Sequence, residues 1–387
     1  MKKLKILHTT TRLVRGGGVE NNIYHSISQL HEEYEFHLAC GADFQENPFE
    51  HFDDVKVIIC PYLINKIDPI RDLQALWFFY RLIRKEKYDI VHTHETKASF
   101  ITKLAAWLAH CPYIIYGLHG VTFNDPMSKL KRKFYIWLEK ITIGVSDCIV
   151  AVGNDTIHHY HKNNIGKNIP YYIVRSGMDV ESFVSKQLNS EEKKNELKRR
   201  LSISHDDFVL INVGRFSFSK AQRYTIQCFA EVKKEIPQAK LLLIGEGELL
   251  EECKRLAHTL HISHDVIFVG YSSDVAGYLS ISDVFVFTSL REGLPRVIVE
   301  AALMKVPVAA FDVEGIKEII EHEKSGYIVA QYDVRALTFY VKKLLKEADT
   351  RKKFSEIAFH HVKAEWDCKQ MAMKLRDIYT QAQRQIK

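Results

Sequence analysis

Thirteen short apolar runs rich in β-branched residues punctuate the chain: "LKILHTT", "EFHLAC", "VKVIIC", "DIVHTH", "YIIYGLH", "CIVAVG", "YYIVRSG", "FVLINVG", "KLLLIG", "VIFVG", "VFVFTS", "PVAAF" and "GYIVA". Most are apolar throughout rather than alternating, so both faces of each strand need cover, which is the situation in a parallel sheet. Amphipathic stretches separate them, and strand-helix alternation on that scale reads as an α/β doubly wound architecture. A chain of 387 residues exceeds what one hydrophobic core usually serves. The alternation breaks at 184–206, a charged segment poor in apolar residues. The expectation is two Rossmann-like domains, 1–183 and 207–365, joined by 184–206. The final stretch, 366–387, has helical spacing (Trp366, Met371, Leu375, Ile378, Tyr379) and would return to the first domain. Open α/β sheets bind ligands beyond the carboxyl ends of their strands. The site is therefore expected in a cleft where two such sheets face each other.

Charge and cysteine usage narrow the function classes. The formal net charge of +6 is small for this length and is not concentrated in either half, which argues against a nucleic-acid partner. Seven cysteines are scattered singly with no CxxC pair, as in a reduced, cytoplasmic protein. The opening "MKKLKILHTTTRLVRGGG" has too short an apolar stretch for a signal peptide and reads as a first strand. No uncharged apolar run approaches the length of a membrane span.

The motifs cluster just after strands. Gly16-Gly17-Gly18 follows "KILHTT" and precedes a helical stretch, so Gly17 and Gly18 permit close backbone approach to an anion at a helix amino end. The later glycine of a dinucleotide fingerprint is missing, and Gly245 with Gly247 in "LLLIGEGELLEE" is equally incomplete; either is also compatible with a plain turn. "VHTHETKA" puts His92 and His94 on one face of a strand. His-x-His can ligate a metal, but with no further ligand nearby in sequence the pair reads as polar cleft lining, and no metal is assigned. His119, followed by Gly120 at another strand end, is the better active-site candidate. "INVGRFSFSKAQ" carries Arg215 and Lys220, two cations suited to a diphosphate. In "TSLREGLPRVIVEAALMKVPVAA", Glu292 lies on a loop, Gly293-Leu294-Pro295 leads into a helix with free amides, and Glu300 sits within an apolar run where a carboxylate needs a partner. Carboxylates accept paired hydroxyl hydrogen bonds from sugar and ribose rings. Two of them framing a phosphate-binding helix end describe a nucleotide sugar.

With these residues in place the chain resembles the retaining glycosyltransferases of family four, which have the two-Rossmann GT-B fold. "EGLPRVIVE" from Glu292 to Glu300 matches their most recognisable motif, two glutamates separated by seven residues. "GGGVE", "HTH", "HG", "SGMDVESF", "VGRFSFSK", "LLLIGEGEL" and "SDVFVFTS" fall in family order over nearly the whole chain. The resemblance implies that Glu292 holds the donor sugar's hydroxyls and Glu300 the ribose hydroxyls. It implies that Arg215 and Lys220 neutralise the leaving diphosphate, with Gly17 and Gly18 approaching it from the other domain. His119 would border the sugar, the amides of Gly293, Leu294 and Val297 would complete the anion site, and Gly270-Tyr271 would frame the base. Three positions depart from the pattern: Lys220-Ala221 replaces Lys-Gly, Glu314-Gly315 replaces Gly-Gly, and Ser176-Gly177 replaces Asn-Gly. No cofactor is expected beyond the co-substrate, a UDP-sugar in the first instance. The sequence has no Asp-x-Asp, so a metal-independent transfer is expected.

The acceptor would be a glycan or lipid-linked glycan, as in surface polysaccharide assembly. "MSKLKRKFYIWLEKITIG" (Met127 to Gly144) mixes lysines with aromatics at helical spacing, a pattern suited to peripheral contact with an anionic membrane and equally to an ordinary packed helix with wet lysines. A nucleotide-sugar epimerase on the same paired domains is the alternative reading. It would need further acid/base carboxylates in the cleft. A nicotinamide-dependent oxidoreductase and an inactive donor-binding subunit are weaker alternatives.

Overall fold

The computed structural model describes residues 3–14, 18–45, 47–124 and 127–386. It divides into two compact units, one comprising Met1–Asp179 with Trp366–Lys387, the other Val180–Glu365. All thirteen runs form strands.

The first unit contains β1 (Lys5–Leu13), α1 (Gly18–Leu30), β2 (Glu35–Phe44), β3 (Lys56–Ile59), α2 (Pro69–Glu86), β4 (Ile90–His94), α3 (Thr96–Leu108), β5 (Tyr113–Leu118), α4 (Lys129–Ile143), β6 (Cys148–Ala151), α5 (Asn154–Lys162) and β7 (Tyr171–Ile173). The second contains α6 (Val180–Ser185), α7 (Glu191–Arg200), β8 (Phe208–Val213), α8 (Gln222–Lys233), β9 (Ala239–Ile244), α9 (Leu250–Thr259), β10 (Val266–Gly270), α10 (Val275–Leu279), β11 (Val284–Phe287), α11 (Arg296–Leu303), β12 (Val308–Phe311), β13 (Gly326–Val329), α12 (Val334–Lys346) and α13 (Ala348–Glu365). The chain then re-enters the first unit as α14 (Cys368–Ile386).

Both sheets are parallel, with orders β3-β2-β1-β4-β5-β6-β7 and β10-β9-β8-β11-β12-β13. Each reverses direction once, between β1 and β4 and between β8 and β11, and those reversals are where doubly wound sheets leave a crevice. A recurrent local device sets the strand starts. Asp89, Asp147 and Asp283 each precede a strand and accept the amide of the neighbouring strand's Lys5, Ile114 or Val209, at 2.8, 2.7 and 2.8 Å. Strands β5 and β11 are buried along their whole length, which is why they read as continuous apolar runs.

The charged segment assigned to a linker is a different object. The chain crosses between units at Asp179, and 184–206 belongs to the second unit. Ser190 caps α7 by accepting the amide of Lys193, and Leu188 donates its amide to Ser280. None of the ten residues of α7 is buried, so its sequence carries no apolar face to announce a helix. In the first unit α14 lies against α1, with Met371, Leu375, Ile378 and Tyr379 buried on one face. Trp366 at its entry is buried under the Arg175 guanidinium, and Arg376 forks onto Glu33 at 2.5 and 2.7 Å.

Candidate active site

In the second unit two loops leave the sheet on either side of the reversal, one after β8 and one after β11. The first, Gly214 to Ala221, is braced by the loop after β9. Gly214 and Phe216 donate their amides to Ile244 and Glu246 at 2.9 and 2.8 Å, and Leu249 donates to Phe216. Gly245 makes this fit possible: its φ is 135°, and a Cβ there would lie 2.2 Å from the Gly214 carbonyl oxygen. The glycines of "IGEGEL" thus serve close packing of one loop on another. Gly245 also donates to the carbonyl of Gly270, linking in the loop that carries Tyr271, which is exposed.

The second loop is laced to the first. Thr288 shares a 2.8 Å hydrogen bond with Thr225 and donates to the Ala221 carbonyl, and Leu290 donates its amide to Ser219 at 2.7 Å. Those bonds bring Lys220 Nζ to 2.5 Å from Glu292 Oε1, with both side chains largely shielded from solvent. Ala221 adopts the left-handed conformation at φ 49° directly before α8, so the backbone that a glycine would favour is kept with alanine in its place.

Arg215 is not brought to this pair. Phe216 is buried in the core, and Arg215 is exposed with its guanidinium 3.2 Å from Glu248. Beyond Glu292, Gly293 and Leu294 lead to Pro295, which occupies the N-cap position of α11. No side chain caps this helix start, and Val297 lies in its first turn. Gly315, at φ 79°, supports the turn from below; a Cβ there would come 2.4 Å from the Gly293 carbonyl oxygen. The Glu314-Gly315 sequence therefore keeps the one glycine this contact demands. Glu300 is paired across one turn with Arg296 at 3.3 Å. Burial holds its carboxyl above the ordinary value, opposed by Arg296.

In the first unit Gly18 opens α1 and Gly17 lies outside the described residues. His119 follows β5 and its Nε2 lies 2.7 Å from His94 Nδ1. His92 and His94 are not cleft lining: they are 2% and 1% exposed, inside β4. They join His8 of β1, which the parallel register sets directly beside His92. Sequence reading missed His8 because its run "KILHTT" carries a single histidine, and only strand order brings it next to β4. Burial lowers the pKa of His8 to about 3 and of His119 to about 4, and pushes His92 and His94 down as well, so all four rings are neutral near pH 7. On α4, Leu130, Phe134, Trp137 and Ile141 face solvent along one stripe, while Glu139, Thr142 and Ile143 turn inward. These four apolar side chains are thus left uncovered, while Tyr135, Ile136 and Ile143 of the same helix pack on the core of the first unit. Among the described residues, no helix is long and apolar enough to cross a membrane.

Two parallel-sheet α/β units in these strand orders have the architecture of the GT-B fold, with an ammonium-carboxylate pair and an uncapped helix start at the reversal of the second. Residues 16–182 match the family model described as Glycosyltransferase Family 4, and residues 193–361 match Glycosyl transferases group 1. The chain belongs to glycosyltransferase family 4. It is similar to the UDP-Gal:alpha-D-GlcNAc-diphosphoundecaprenol alpha-1,3-galactosyltransferase of Escherichia coli, 26% identical over 90% of this chain and 89% of that one. It is also similar to the N-acetyl-alpha-D-glucosaminyl L-malate synthase of Bacillus anthracis, 26% identical over 97% of each. Among solved structures, Anabaena HepE in complex with UDP superposes with a TM-score of 0.82 at 17% identity, covering 98% of this chain and all of that one.

Proposed function

We propose that the chain moves a sugar from a UDP-sugar to a lipid-linked or glycan acceptor, with retention at the anomeric carbon and without a catalytic metal ion. The observation that carries this reading is the Lys220–Glu292 pair set beside the uncapped start of α11. Breaking the anomeric C–O bond develops negative charge on the departing diphosphate. An ammonium and helix amides already aimed at that position stabilise the transition state more than the ground state. Arg215 would join by leaving Glu248, an exposed ion pair worth at most about 1 kcal/mol, so its recruitment costs little. Glu292, held by Lys220, would accept the sugar's hydroxyls. Glu300 would accept those of the ribose, and Gly270 with Tyr271 would border the base. HepE's solved complexes with UDP and with UDP-glucose support the choice of base. The names of the relatives support an acceptor carried on a polyprenyl diphosphate or another glycan.

The test is a thermal-shift panel of UDP-, GDP- and ADP-sugars with chelator present. A UDP-sugar should raise the melting temperature, because a ligand bound only by the native state stabilises it in proportion to affinity. No response to any of the three would refute the reading, and a response to UDP-sugars only after adding a divalent ion would refute metal independence. Retention is read from the anomeric coupling of the product by NMR.

The stripe Leu130, Phe134, Trp137 and Ile141, with Lys129, Lys131, Arg132, Lys133 and Lys140 on the same helix, suits an anionic lipid surface. Sedimentation with vesicles should show binding that needs anionic lipid and is lost in Phe134→Glu/Trp137→Glu. Equal binding by that variant would place membrane contact elsewhere.

A further inference from the structure

The first unit holds three buried histidines and a buried tyrosine that hydrogen-bond to one another, with His119 at their edge. His8, His92 and His94 lie at the reversal between β1 and β4, 0%, 2% and 1% exposed. One ring nitrogen from each falls within 4.8 Å of the other two. We propose that these three imidazoles form a binding site for a single first-row divalent transition ion of the zinc class, which ties the first strands to the carboxyl-terminal helix.

The hydrogen bonds favour a ligand set over a mere polar core. A histidine that binds a metal through one nitrogen characteristically anchors the other on a neighbour, which fixes its tautomer and aim. All three rings do so. His8 Nε2 lies 3.2 Å from the Tyr379 hydroxyl and His92 Nδ1 lies 3.0 Å from that same oxygen, while His94 Nδ1 lies 2.7 Å from His119 Nε2. With these distal nitrogens engaged, the proximal ones converge: His8 Nδ1 and His94 Nε2 lie 2.9 Å apart. His92 Nε2 is buried and finds no hydrogen-bond partner among the described residues. Only His92 Nε2 is left over, beside two nitrogens that hydrogen-bond to each other, and a cation replacing that shared proton would engage all three. Tetrahedral zinc with nitrogen bonds near 2.05 Å needs ligands about 3.3 Å apart. The two facing nitrogens would separate by a few tenths of an ångström and the third would close by roughly 1.5 Å. A small cavity of about 10 Å³, bordered by His92, His94, His119, Asn22 and Leu375, lies on the side of His92 and His94 and is large enough for at most one water-sized fourth ligand.

The experiment uses the full chain stripped with chelator and dialysed. Zinc bound after re-addition is measured by elemental analysis, the melting temperature is recorded with and without zinc, and cobalt(II) is substituted to read the visible absorption of a four-coordinate nitrogen site. Wild type should bind one ion per chain, melt higher with zinc and show the cobalt bands. His92→Asn and His8→Gln each delete the converging nitrogen while leaving an amide near the one that meets Tyr379, so both should fold yet bind none. His158→Gln/His161→Gln, on α5, should bind like wild type. Less than stoichiometric zinc on the folded wild-type chain would overturn the proposal, as would binding that survives both His92→Asn and His8→Gln. The wild-type stoichiometry decides the matter even if either variant fails to fold. Because UDP-sugar binding is read separately, failure here leaves the transferase reading untouched.

Discussion

Glu292→Gln should separate nucleotide binding from turnover in opposite directions. The carboxylate sits 2.5 Å from the Lys220 ammonium. Two unit charges about 4 Å apart attract by roughly 4 kcal/mol at an effective dielectric of 20 and about 1 kcal/mol in water. The lysine is 28% and the glutamate 12% exposed, so the true value lies between these limits and is further reduced by desolvation and side-chain ordering. When a diphosphate reaches Lys220 it meets the same carboxylate as a like charge. At about 6 Å and a dielectric near 40 that repulsion is roughly 1.4 kcal/mol, or about tenfold in affinity. Free UDP should therefore bind Glu292→Gln more tightly than wild type, by three- to tenfold on the order of this estimate.

The sugar reverses the sign. Hydrogen bonds from hydroxyls to a charged acceptor contribute about 1.5–3 kcal/mol each, and a neutral amide forfeits much of that. The kcat/KM for the UDP-sugar should fall at least about tenfold in the variant whose UDP affinity rises. Lys220→Met should weaken both, and UDP by roughly thirtyfold, since it removes the ammonium and leaves the carboxylate facing the phosphate. Isothermal titration with UDP and initial rates with the UDP-sugar measure the two quantities. If Glu292→Gln weakens UDP as much as it lowers kcat/KM, the carboxylate touches the nucleotide rather than the sugar and the assignment fails.

Three further perturbations probe the surrounding frame. Glu300 has a raised folded pKa, so the native state holds its proton longer than the unfolded chain. Stability from this group is thus greatest below the ordinary carboxylate value and declines as pH rises through the folded pKa. Glu300→Gln should be more stable than wild type by on the order of 1 kcal/mol at pH 7 and no more stable at pH 4, while binding UDP less well; urea titrations that show a loss at pH 7 would contradict this. Gly315→Ala forces a Cβ against the Gly293 carbonyl at a left-handed position, and should cost about 2–3 kcal/mol in urea together with UDP affinity. Wild-type behaviour in both assays would show that the turn can move freely. Lys103, buried 3.7 Å above the Tyr116 ring, has its pKa lowered by desolvation from the ordinary lysine value of 10.5 to about 8. Between those values the unfolded chain binds the extra proton, so this group makes stability rise with pH from about 8 to 10.5, by at most about 1.4 kcal/mol per unit. Wild type should show that extra slope over Lys103→Met; parallel stability-pH curves would refute it.

What the sequence disclosed, and what it hid, follows the range of the interactions involved. The strands were legible because a parallel strand must be apolar on both faces, a property confined to four to ten consecutive residues. The loops after β8 and β11 were legible for the same reason, since "GRFSFSK" and "REGLP" each carry their chemistry within one short segment. The pairing of Lys220 with Glu292 was not, because it depends on Thr288 reaching Thr225 and Leu290 reaching Ser219 across some seventy residues. Arg215 and Lys220 read as two cations for one diphosphate because both follow the same strand, while the ion pair of Arg215 with Glu248, beside buried Phe216, leaves no trace in that spacing. The segment 184–206 was misread because α7 buries nothing, and a helix without an apolar face has no period to detect.

The histidines make the same point from the other direction. His92 and His94 announced themselves as a pair, and the objection to a metal was the lack of a third ligand nearby in sequence. In a doubly wound sheet nearness in sequence is the wrong criterion, because the first strand and the fourth are neighbours. His8 is 84 positions from His92 in the chain and directly opposite it in the register, and Tyr379 arrives from the far end on a helix that returns after the second unit is complete. A ligand search over sequences of this architecture should therefore compare the ends of β1 and β4 rather than count spacings within one segment. Histidines that look isolated by the second criterion can be adjacent by the first.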